Sequence, residues 1–377
     1  MKKILTLLAA AATLCAAAAT PELPSRDEVL KTARLVNGYF MEKYADPTAG
    51  MPYPSRNRVY ESNIWTRAVY YEGLMALHSI YPDNAYIDYA RRWADFHKWG
   101  MRRDQTPTRN ADNYCCSQTY IDLYRLCGEP HMIVKTKAVM NMLVNTPQVD
   151  DWTWIDAIQM GMPVLVKLGV TTGDDRYCQK AYQMYEWSRN TLAGGLYNQQ
   201  EGLWWRDKDF IPPYKEPNGR NCYWSRGNGW VVAALVRVLD ELPADAPHRE
   251  LYTQDLRDMC RALVKCRRED GFWNVSLHDG SHFGGRELSG TALFVYGMAW
   301  GINNGVLDRD EYLPVVVSSW KAMCREAVHA NGFLGYVQGT GKEPKDGQPV
   351  SYDSVPDFED YGTGCFLLAA SEVYKLQ

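Results

Sequence analysis

Residues 364–370 read Gly-Cys-Phe-Leu-Leu-Ala-Ala, a nearly unbroken apolar run close to the carboxyl end of a 377-residue chain. Apolar residues spaced by three and four predict that this run lies in the last of about twelve amphipathic helices. The terminal helix of an open helical array is expected to cap the array with a polar face. The apolar last helix, the loose repeat period and the unequal loop lengths therefore favour a closed ring over an open solenoid.

The predicted helices pair into six hairpins, with polar outer helices and more apolar inner helices such as 226–239 and 288–302. Their approximate spans are 26–45, 61–80, 84–99, 113–127, 131–145, 155–169, 175–193, 226–242, 248–267, 288–304, 309–329 and 358–375. No run alternates with period two over a length that predicts a central sheet. We therefore predict an all-α protein, an (α/α)6 barrel in which residues 20–377 form a single domain.

Short local patterns mark the ends of several helices. Asp83 and Asp174 each precede a helix as an N-cap, and Asp308 can cap a third helix in the same way. Glycine turns follow helices at Gly271 and Gly332, where we expect the positive φ that glycine tolerates at a helix carboxyl end.

The amino-terminal residues 1–19 have a basic start, a short apolar middle and an Ala-x-Ala ending, which predicts a secretory signal peptide. We expect a periplasmic or secreted protein without a lipid anchor, because Leu14 replaces the small residue that precedes a lipidated cysteine at position 15. No later segment is apolar enough to span a membrane. The net charge of −4 and the lack of basic runs argue against nucleic-acid binding.

Nine cysteines remain after residue 19, an odd number at irregular spacing. This pattern fits neither a disulfide framework nor a zinc site. We expect mostly buried thiols, although an exported protein can form a disulfide.

Six long irregular segments precede the predicted inner helices. They are residues 46–60, 100–112, 145–153, 197–223, 268–287 and 333–357. In a ring of helices these loops meet at one mouth, and long loops of this kind usually carry function. We call them the mouth loops.

Asp156 and Asp112 are the candidate catalytic pair, because each lies near the start of an inner helix beside a mouth loop. The helix amino end lowers the pKa of an aspartate, whereas apolar neighbours such as Met160 and a second carboxylate raise it. A general acid requires the raising effects to prevail. The alternative is that both residues are ordinary N-caps.

Arg226 and Trp230 lie four residues apart at the start of a predicted helix and share one face. A guanidinium suits the carboxylate of an acidic sugar, and an indole suits the apolar face of a pyranose ring. The alternative is a helix start with a packed tryptophan. The other candidate sugar contacts are Trp65, Trp154, Met160 and Trp224.

Four segments together resemble glycoside hydrolase family 105, the unsaturated rhamnogalacturonyl hydrolases, which are related to the unsaturated glucuronyl hydrolases of family 88. The segments are 154–163 (WIDAIQMGMP), 225–230 (SRGNGW), 289–292 (SGTA) and 361–364 (YGTG). The resemblance runs over essentially the whole mature chain and implies an (α/α)6 barrel. It also implies removal of a terminal 4,5-unsaturated uronate from oligosaccharides that polysaccharide lyases produce, by hydration of the vinyl ether.

The resemblance assigns a role to each candidate residue. Asp156 would protonate C4 and then, as a base, activate the water that attacks C5, while Asp112 would position water or sugar hydroxyls. Arg226 and Trp230 would hold the uronate, and Trp154 would line the same subsite. The reaction needs no metal or organic cofactor, so His278 and His282 are interpreted as loop residues.

The chain departs from the family pattern at residues 196–200, Leu-Tyr-Asn-Gln-Gln, where better-known members carry a histidine. An expanded loop with Trp-Trp-Arg-Asp at 204–207 follows and could contact the sugar beyond the cleaved bond. A rhamnogalacturonan rhamnose is the first candidate for the leaving sugar, and arabinogalactan, ulvan and glycosaminoglycan fragments stay open.

Two alternative functions stay open beside this one. The first is an inverting glycosidase for saturated glycosides, which needs two carboxylates roughly 6.5–9.5 Å apart. The second is a non-catalytic sugar-binding toroid, since fold alone does not determine function.

Overall fold

A computed structural model describes residues 22–53 and 57–377, so the predicted signal peptide lies outside the described residues. Each of the twelve predicted helical segments overlaps one long helix, and a one-turn helix, α4, is additional. The helices are α1 (Arg26–Lys43), α2 (Trp65–Ile80), α3 (Asn84–Phe96), α4 (Ala111–Tyr114), α5 (Ser117–Cys127), α6 (Val134–Val144), α7 (Asp156–Thr172), α8 (Asp175–Glu186), α9 (Ser225–Glu241), α10 (Arg249–Cys266), α11 (Leu288–Asn303), α12 (Arg309–Glu326) and α13 (Asp360–Lys375).

Six helices form a closed inner ring. Going round the ring, α2 packs against α5, then α7, α9, α11 and α13 follow, and α13 packs back against α2. The inner helices are buried on nearly every side: α11 is buried from Leu288 to Ile302 and α9 from Ser225 to Leu239. A helix that is apolar all round needs neighbours all round. The other six long helices lie outside this ring, so the predicted (α/α)6 barrel is confirmed.

The predicted N-caps and positive φ values are confirmed, but Gly271 and Gly332 lie in turns beyond α10 and α12 and do not cap these helices, whose C-caps are Arg267 and Ala327. The carboxylates of Asp83, Asp174 and Asp308 each accept a hydrogen bond from an amide two or three residues further on, at the start of α3, α8 and α12. Gly271 and Gly332 have φ values of 96° and 94°. Side chains with a Cβ rarely adopt this conformation, so glycine allows the sharp turns that follow α10 and α12.

The strands of the described residues form two small antiparallel hairpins in the mouth loops. Strand β1 (Met51–Tyr53) pairs with β2 (Arg58–Tyr60), and β3 (Tyr197–Asn198) pairs with β4 (Leu203–Trp204). Each hairpin lies in a mouth loop for which the sequence pattern predicts no strand. The backbone at the mouth is therefore more ordered than the sequence pattern predicts.

The nine cysteines within the described residues are all free thiols, and five of them are buried. They behave as the small apolar core residues that the sequence predicts. Among the described helices, none has the length and apolarity required to cross a bilayer.

Candidate active site

A cavity of about 280 Å³ lies at the amino-terminal ends of the inner helices. Its lining residues are Tyr53, Tyr60, Ile64, Trp65, Arg102, Asp112, Trp154, Asp156, Met160, Arg206, Thr340, Gly341 and Phe358. Four of the predicted mouth loops contribute residues to the cavity lining, namely 46–60, 100–112, 197–223 and 333–357. The structure therefore brings together both candidate acids and three of the six candidate sugar contacts, namely Trp65, Trp154 and Met160.

Asp156 is the first residue of α7, and its carboxylate does not cap the helix. The residue is buried, and its Oδ2 atom accepts no hydrogen bond from the described residues. The charged group beside this oxygen is the Arg206 guanidinium, at an ion-pair distance without hydrogen-bond geometry.

Asp112 is the second residue of α4, where the side chain of Asn110 is the N-cap and accepts a hydrogen bond from the Asp112 amide. The cap is thus provided by a different residue, which leaves the Asp112 carboxylate to face the cavity. The alternative that both acids are ordinary N-caps is wrong for this structure.

Arg206 reaches the cavity because its loop runs alongside the start of α7. The amide of Ile155 donates to the carbonyl of Arg206 at 2.9 Å, and Trp154 forms an antiparallel bridge with Asp207. The Arg206 Nε atom lies 3.4 Å from Asp156 Oδ2, and its Nη1 atom lies 2.6 Å from Asp207 Oδ2. One guanidinium therefore lies between two carboxylates beside the cavity.

The surroundings raise the pKa of both candidate acids. Burial raises the pKa of Asp156, while the positive charges of Arg206 and Arg226 oppose this rise. Burial also raises the pKa of Asp112 to about 7, helped by the negative charge of Asp156 and opposed by Arg102 and Arg206. Burial thus favours the protonated form of both carboxyls, which is the direction that a general acid requires.

Arg226 lies behind the cavity wall rather than on its surface. The side chain is 1% exposed, and its Nη1 and Nη2 atoms donate to the carbonyls of Gln338 and Gly339 at 2.7 and 2.9 Å. Its guanidinium also packs over the rings of Trp224 and Tyr361. In this geometry Arg226 anchors the backbone that leads to the lining residues Thr340 and Gly341, and it is not itself a lining residue, so its contact with a sugar carboxylate stays a prediction.

Trp224 and Trp230 are also buried and do not line the cavity, so the direct sugar contact predicted for them stays a prediction. The Nε1 atom of Trp224 donates to the side chain of Gln338 at 2.8 Å, so this indole takes part in the same anchor as Arg226. Trp230 packs edge-on against Trp65, with ring centroids 6.1 Å apart. It supports the tryptophan that does line the cavity.

Sequence reasoning missed several lining residues, above all the cations Arg102 and Arg206. Both lie in segments that the sequence marks as mouth loops. The position of Arg206 depends on backbone pairing between residues 154–155 and 206–207, which residue spacing does not encode. Tyr197, in the 196–200 stretch singled out as a departure from the family pattern, packs against Trp204 and lies outside the cavity lining.

His278 and His282 lie outside the cavity lining too. The Nδ1 atom of His278 is 3.9 Å from Glu201, and that of His282 is 3.3 Å from Glu216. Burial lowers the pKa of His278 to about 4, so this side chain is neutral at physiological pH. Each histidine faces a carboxylate of the 197–223 loop and joins that loop to the 268–287 loop.

Comparison with known proteins gives a consistent result. The family model described as Glycosyl Hydrolase Family 88 matches residues 32–377. An unsaturated 3S-rhamnoglycuronyl hydrolase of Formosa agariphila is 32% identical over 335 residues, which are 83% of this chain and 85% of that protein.

Solved structures agree in fold. The structure of a glycosyl hydrolase family 88 protein from Bacteroides vulgatus aligns with a TM-score of 0.84 at 32% identity, covering 94% of this chain and 100% of that chain. A possible member of the GH105 family from Salmonella enterica aligns with a TM-score of 0.74 at 20% identity, covering 94% and 95% of the two chains, and supports the fold alone.

The fold and these matches define a glycoside hydrolase built on an (α/α)6 barrel. The chain belongs to glycosyl hydrolase family 88. The resemblance seen in the sequence, which named family 105 first and family 88 as its relative, is confirmed.

Proposed function

We propose that this enzyme removes a terminal 4,5-unsaturated uronate from oligosaccharides that polysaccharide lyases produce, by hydrating the C4=C5 double bond. The observation that carries the proposal is the Asp156 carboxyl, which is buried in an aromatic cavity, has a raised pKa and has an oxygen without a hydrogen-bond partner. The name of the Formosa agariphila relative, an unsaturated 3S-rhamnoglycuronyl hydrolase, describes the same kind of substrate end.

Asp156 is the proton donor in this proposal. Its carboxyl gives a proton to C4, the double-bond electrons form the new C4–H bond, and positive charge develops on C5 and the ring oxygen. Asp156 is then a carboxylate and removes a proton from the water that attacks C5. The resulting C5 hemiketal then opens: the bond between C5 and the ring oxygen breaks, C5 becomes a ketone, and the hydroxyl proton moves to the former ring oxygen. This leaves a hemiacetal at C1. The hemiacetal breaks its C1–O bond to the remaining sugar, which leaves as an alcohol while C1 becomes an aldehyde.

Asp112 and Arg206 support this chemistry from either side of Asp156. The protonated Asp112 carboxyl donates a hydrogen bond to water or to a sugar hydroxyl, which an ionised carboxylate cannot do. Arg206 borders the cavity beside Asp156, and its guanidinium supplies a positive charge for the uronate carboxylate next to C5. Arg226 then acts through the backbone at residues 338–341, as its present contacts indicate.

The aromatic residues hold the sugar rings. Trp65 and Trp154 offer indole faces to the apolar side of the uronate ring, and Tyr53, Tyr60 and Phe358 form a second aromatic wall. We infer a rhamnose as the leaving sugar, since the name of the 32% identical relative includes a rhamnoglycuronyl group. We also infer export through the signal peptide at residues 1–19, in keeping with a polysaccharide-degrading role.

The decisive experiment follows the ultraviolet absorbance of the unsaturated uronate while the mature protein acts on lyase-generated rhamnogalacturonan oligosaccharides. We expect the absorbance to fall with the wild type and the rate to drop at least about 100-fold in Asp156→Asn. Asp353→Asn, a change of the same kind at an exposed loop residue, should keep the full rate.

Different outcomes point to the alternatives. Release of sugar from saturated glycosides with no loss of absorbance from any lyase product would overturn vinyl-ether hydration in favour of an ordinary glycosidase. Binding without any product would favour a sugar-binding toroid.

A further inference from the structure

A buried glutamate lies beneath the floor of the candidate active site. Glu72 is on the inner helix α2 and is 1% exposed. It follows Trp65, which lines the cavity, by seven residues. Residues seven apart on a helix share one face, so Glu72 lies about two turns deeper in the ring than the cavity wall. Its carboxylate takes no part in the proton transfers proposed above.

Both oxygens of the Glu72 carboxylate accept hydrogen bonds from the elements that carry the two acids. The Nε2 atom of Gln159 donates to Oε2 at 2.8 Å, and the Sγ atom of Cys115 donates to Oε1 at 3.5 Å. Gln159 lies in α7, and Cys115 directly follows α4 with helical backbone dihedrals. One carboxylate therefore joins α2 to both α4 and α7.

The two donors have the same relation to the two acids. Cys115 follows Asp112 by three residues, and Gln159 follows Asp156 by three residues. Side chains three residues apart on a helix are neighbours on one face. Each acid therefore has, about one turn below it, a side chain that is bonded to Glu72.

A second set of contacts holds Glu72 and Gln159 in place. The Nε atom of Arg237 in α9 lies 3.6 Å from Glu72 Oε2 and donates to Gln118 Oε1 at 2.7 Å. The Nε2 atom of Gln118 in α5 donates to the carbonyl of Gln159 at 2.9 Å. All four side chains are buried. The inner helices α2, α5, α7 and α9 thus meet in one polar layer under the cavity.

Packing alone does not explain an ionisable group at this depth. Burial raises the pKa of Glu72, and the positive charges of Arg237 and Lys167 oppose this rise. Taking a carboxylate and a guanidinium out of water costs free energy, and apolar side chains of similar volume often stabilise a core equally well. The carboxylate adds direction, because it accepts hydrogen bonds at both oxygens whereas an apolar side chain accepts none.

We propose that Glu72 is a positioning residue that fixes the separation of the Asp112 and Asp156 carboxyls. The inference rests on the proposed function, in which Asp156 transfers protons and Asp112 holds water or a sugar hydroxyl beside it. Glu72 does not line the cavity and acts through the side chains one turn below the two acids. A displacement of about 1 Å at a reacting group can cost about 100-fold in rate, so this separation matters for turnover.

The first test measures the interaction between the two acids without turnover. The negative charge of Asp156 raises the pKa of Asp112, so Asp156→Asn lowers that pKa by an amount that depends on the separation of the two carboxyls. Carbon NMR of protein labelled at the aspartate carboxyls measures this decrease in the wild type and in a Glu72→Gln background. The glutamine keeps the shape of the side chain but leaves only one of the two acceptors.

We expect the decrease to be about a fifth smaller in the Glu72→Gln background, the change that Coulomb's law gives when charges about 5 Å apart move about 1 Å further apart. We also expect kcat of Glu72→Gln to fall about tenfold with KM within about twofold, because the cavity lining itself is unchanged.

Gln159→Met removes only the bond to α7 and should show a smaller loss of kcat. The double variant Glu72→Gln and Gln159→Met should lose little more than Glu72→Gln alone, because both changes break the same contact. Gln159→Met carries both measurements if Glu72→Gln does not fold.

Glu372→Gln is the matched control. This buried glutamate joins α13 to α11 at the carboxyl ends of the helices, where its Oε2 atom accepts a hydrogen bond from Asn303 at 2.9 Å. The control should keep the wild-type kcat and the wild-type interaction between the two acids, even where its free energy of unfolding falls.

Two results would overturn the positioning role. One is a wild-type kcat and a wild-type interaction between the acids in both Glu72→Gln and Gln159→Met, whatever their stability. The other is an equal loss of kcat and of the interaction in Glu372→Gln. A weaker interaction in Glu72→Gln, with no turnover of any lyase product by the wild type, would overturn the proposed function instead, because the titration does not depend on turnover.

Discussion

Gly364 in the last inner helix lies directly against Gly73 in the first. A Cβ added to Gly73 would stand 2.5 Å from the carbonyl oxygen of Gly364, and a Cβ on Gly364 would overlap the carbonyl of Val69. The two backbones thus approach more closely than any side chain allows. This contact joins α13 to α2 and closes the ring whose amino-terminal ends carry the cavity.

We predict that Gly73→Ala and Gly364→Ala each lower the free energy of unfolding by about 1–3 kcal/mol, because the added methyl group forces α2 and α13 apart. Urea denaturation measures the change. Gly38→Ala is the matched control, since a Cβ there meets nothing within 4 Å on the outer helix α1. It should raise stability by up to about 1 kcal/mol through helix propensity. Unchanged stability of both the Gly73→Ala and the Gly364→Ala variant would show that the ring tolerates a wider separation of α2 and α13.

The Asp112 carboxyl should titrate near pH 7, and Asp156→Asn should lower its pKa, because the variant removes a neighbouring negative charge. Carbon NMR of protein labelled at the aspartate carboxyls follows both titrations. Asp353→Asn should leave the Asp112 titration unchanged. An Asp112 pKa near 4 in the wild type would contradict the raising effect of burial and of the Asp156 charge.

Asp112→Asn should stabilise the protein at alkaline pH. The pKa of Asp112 is higher in the folded than in the unfolded chain, so its favourable contribution is complete below about pH 4 and is lost as pH rises through about 7. At pH 8 the variant avoids a buried charge and should gain at least about 1 kcal/mol, the equivalent of one pKa unit. Denaturation at pH 4 and pH 8 checks this, and an equal gain at both pH values would contradict it.

Arg206→Gln should shift the alkaline limb of kcat/KM to higher pH. The guanidinium lowers the pKa of Asp156 and of Asp112, so its removal lets the acid keep its proton at higher pH. The same change should raise KM, because the uronate carboxylate loses a cation. Arg206→Lys keeps the charge and should leave the limb close to its wild-type position. A shift toward lower pH would rule out this role.

The helices and the mouth loops could be predicted from the sequence, because each depends on the pattern of residues within one short segment. Apolar spacing determines the inner helices, and Asp83 marks a helix start because its own carboxylate accepts a hydrogen bond from the amide two residues on. The positions of Asp156 and Asp112 could also be predicted, because an acid at the start of an apolar inner helix can be recognised within a single segment of sequence. The inference that these loops meet then followed from ring closure alone.

The side chains that reach the cavity were harder to predict, since their directions depend on distant partners. Arg226 resembles a sugar ligand in sequence, yet the carbonyls of residues 338 and 339, more than a hundred positions away, take up its donors. Arg206 reaches Asp156 only through backbone pairing with Ile155. Residue type indicated the chemistry, and long-range contacts decided which arginine faces the cavity.

Arg226 therefore gives the sharpest test of the site. If it anchors the backbone before Thr340, Arg226→Ala should lower the free energy of unfolding by about 2–4 kcal/mol, because two charge-assisted hydrogen bonds are lost and the buried Gly339 carbonyl is left unpaired, while the Gln338 carbonyl keeps the Tyr361 hydroxyl. KM should rise as well, since Thr340 and Gly341 lose their support. Arg226→Lys keeps the charge but cannot reach both carbonyls as a fork does, and should show a smaller loss of both. Denaturation and kinetics on the same variants separate the roles: wild-type stability with a large rise in KM would instead make Arg226 a direct ligand of the uronate.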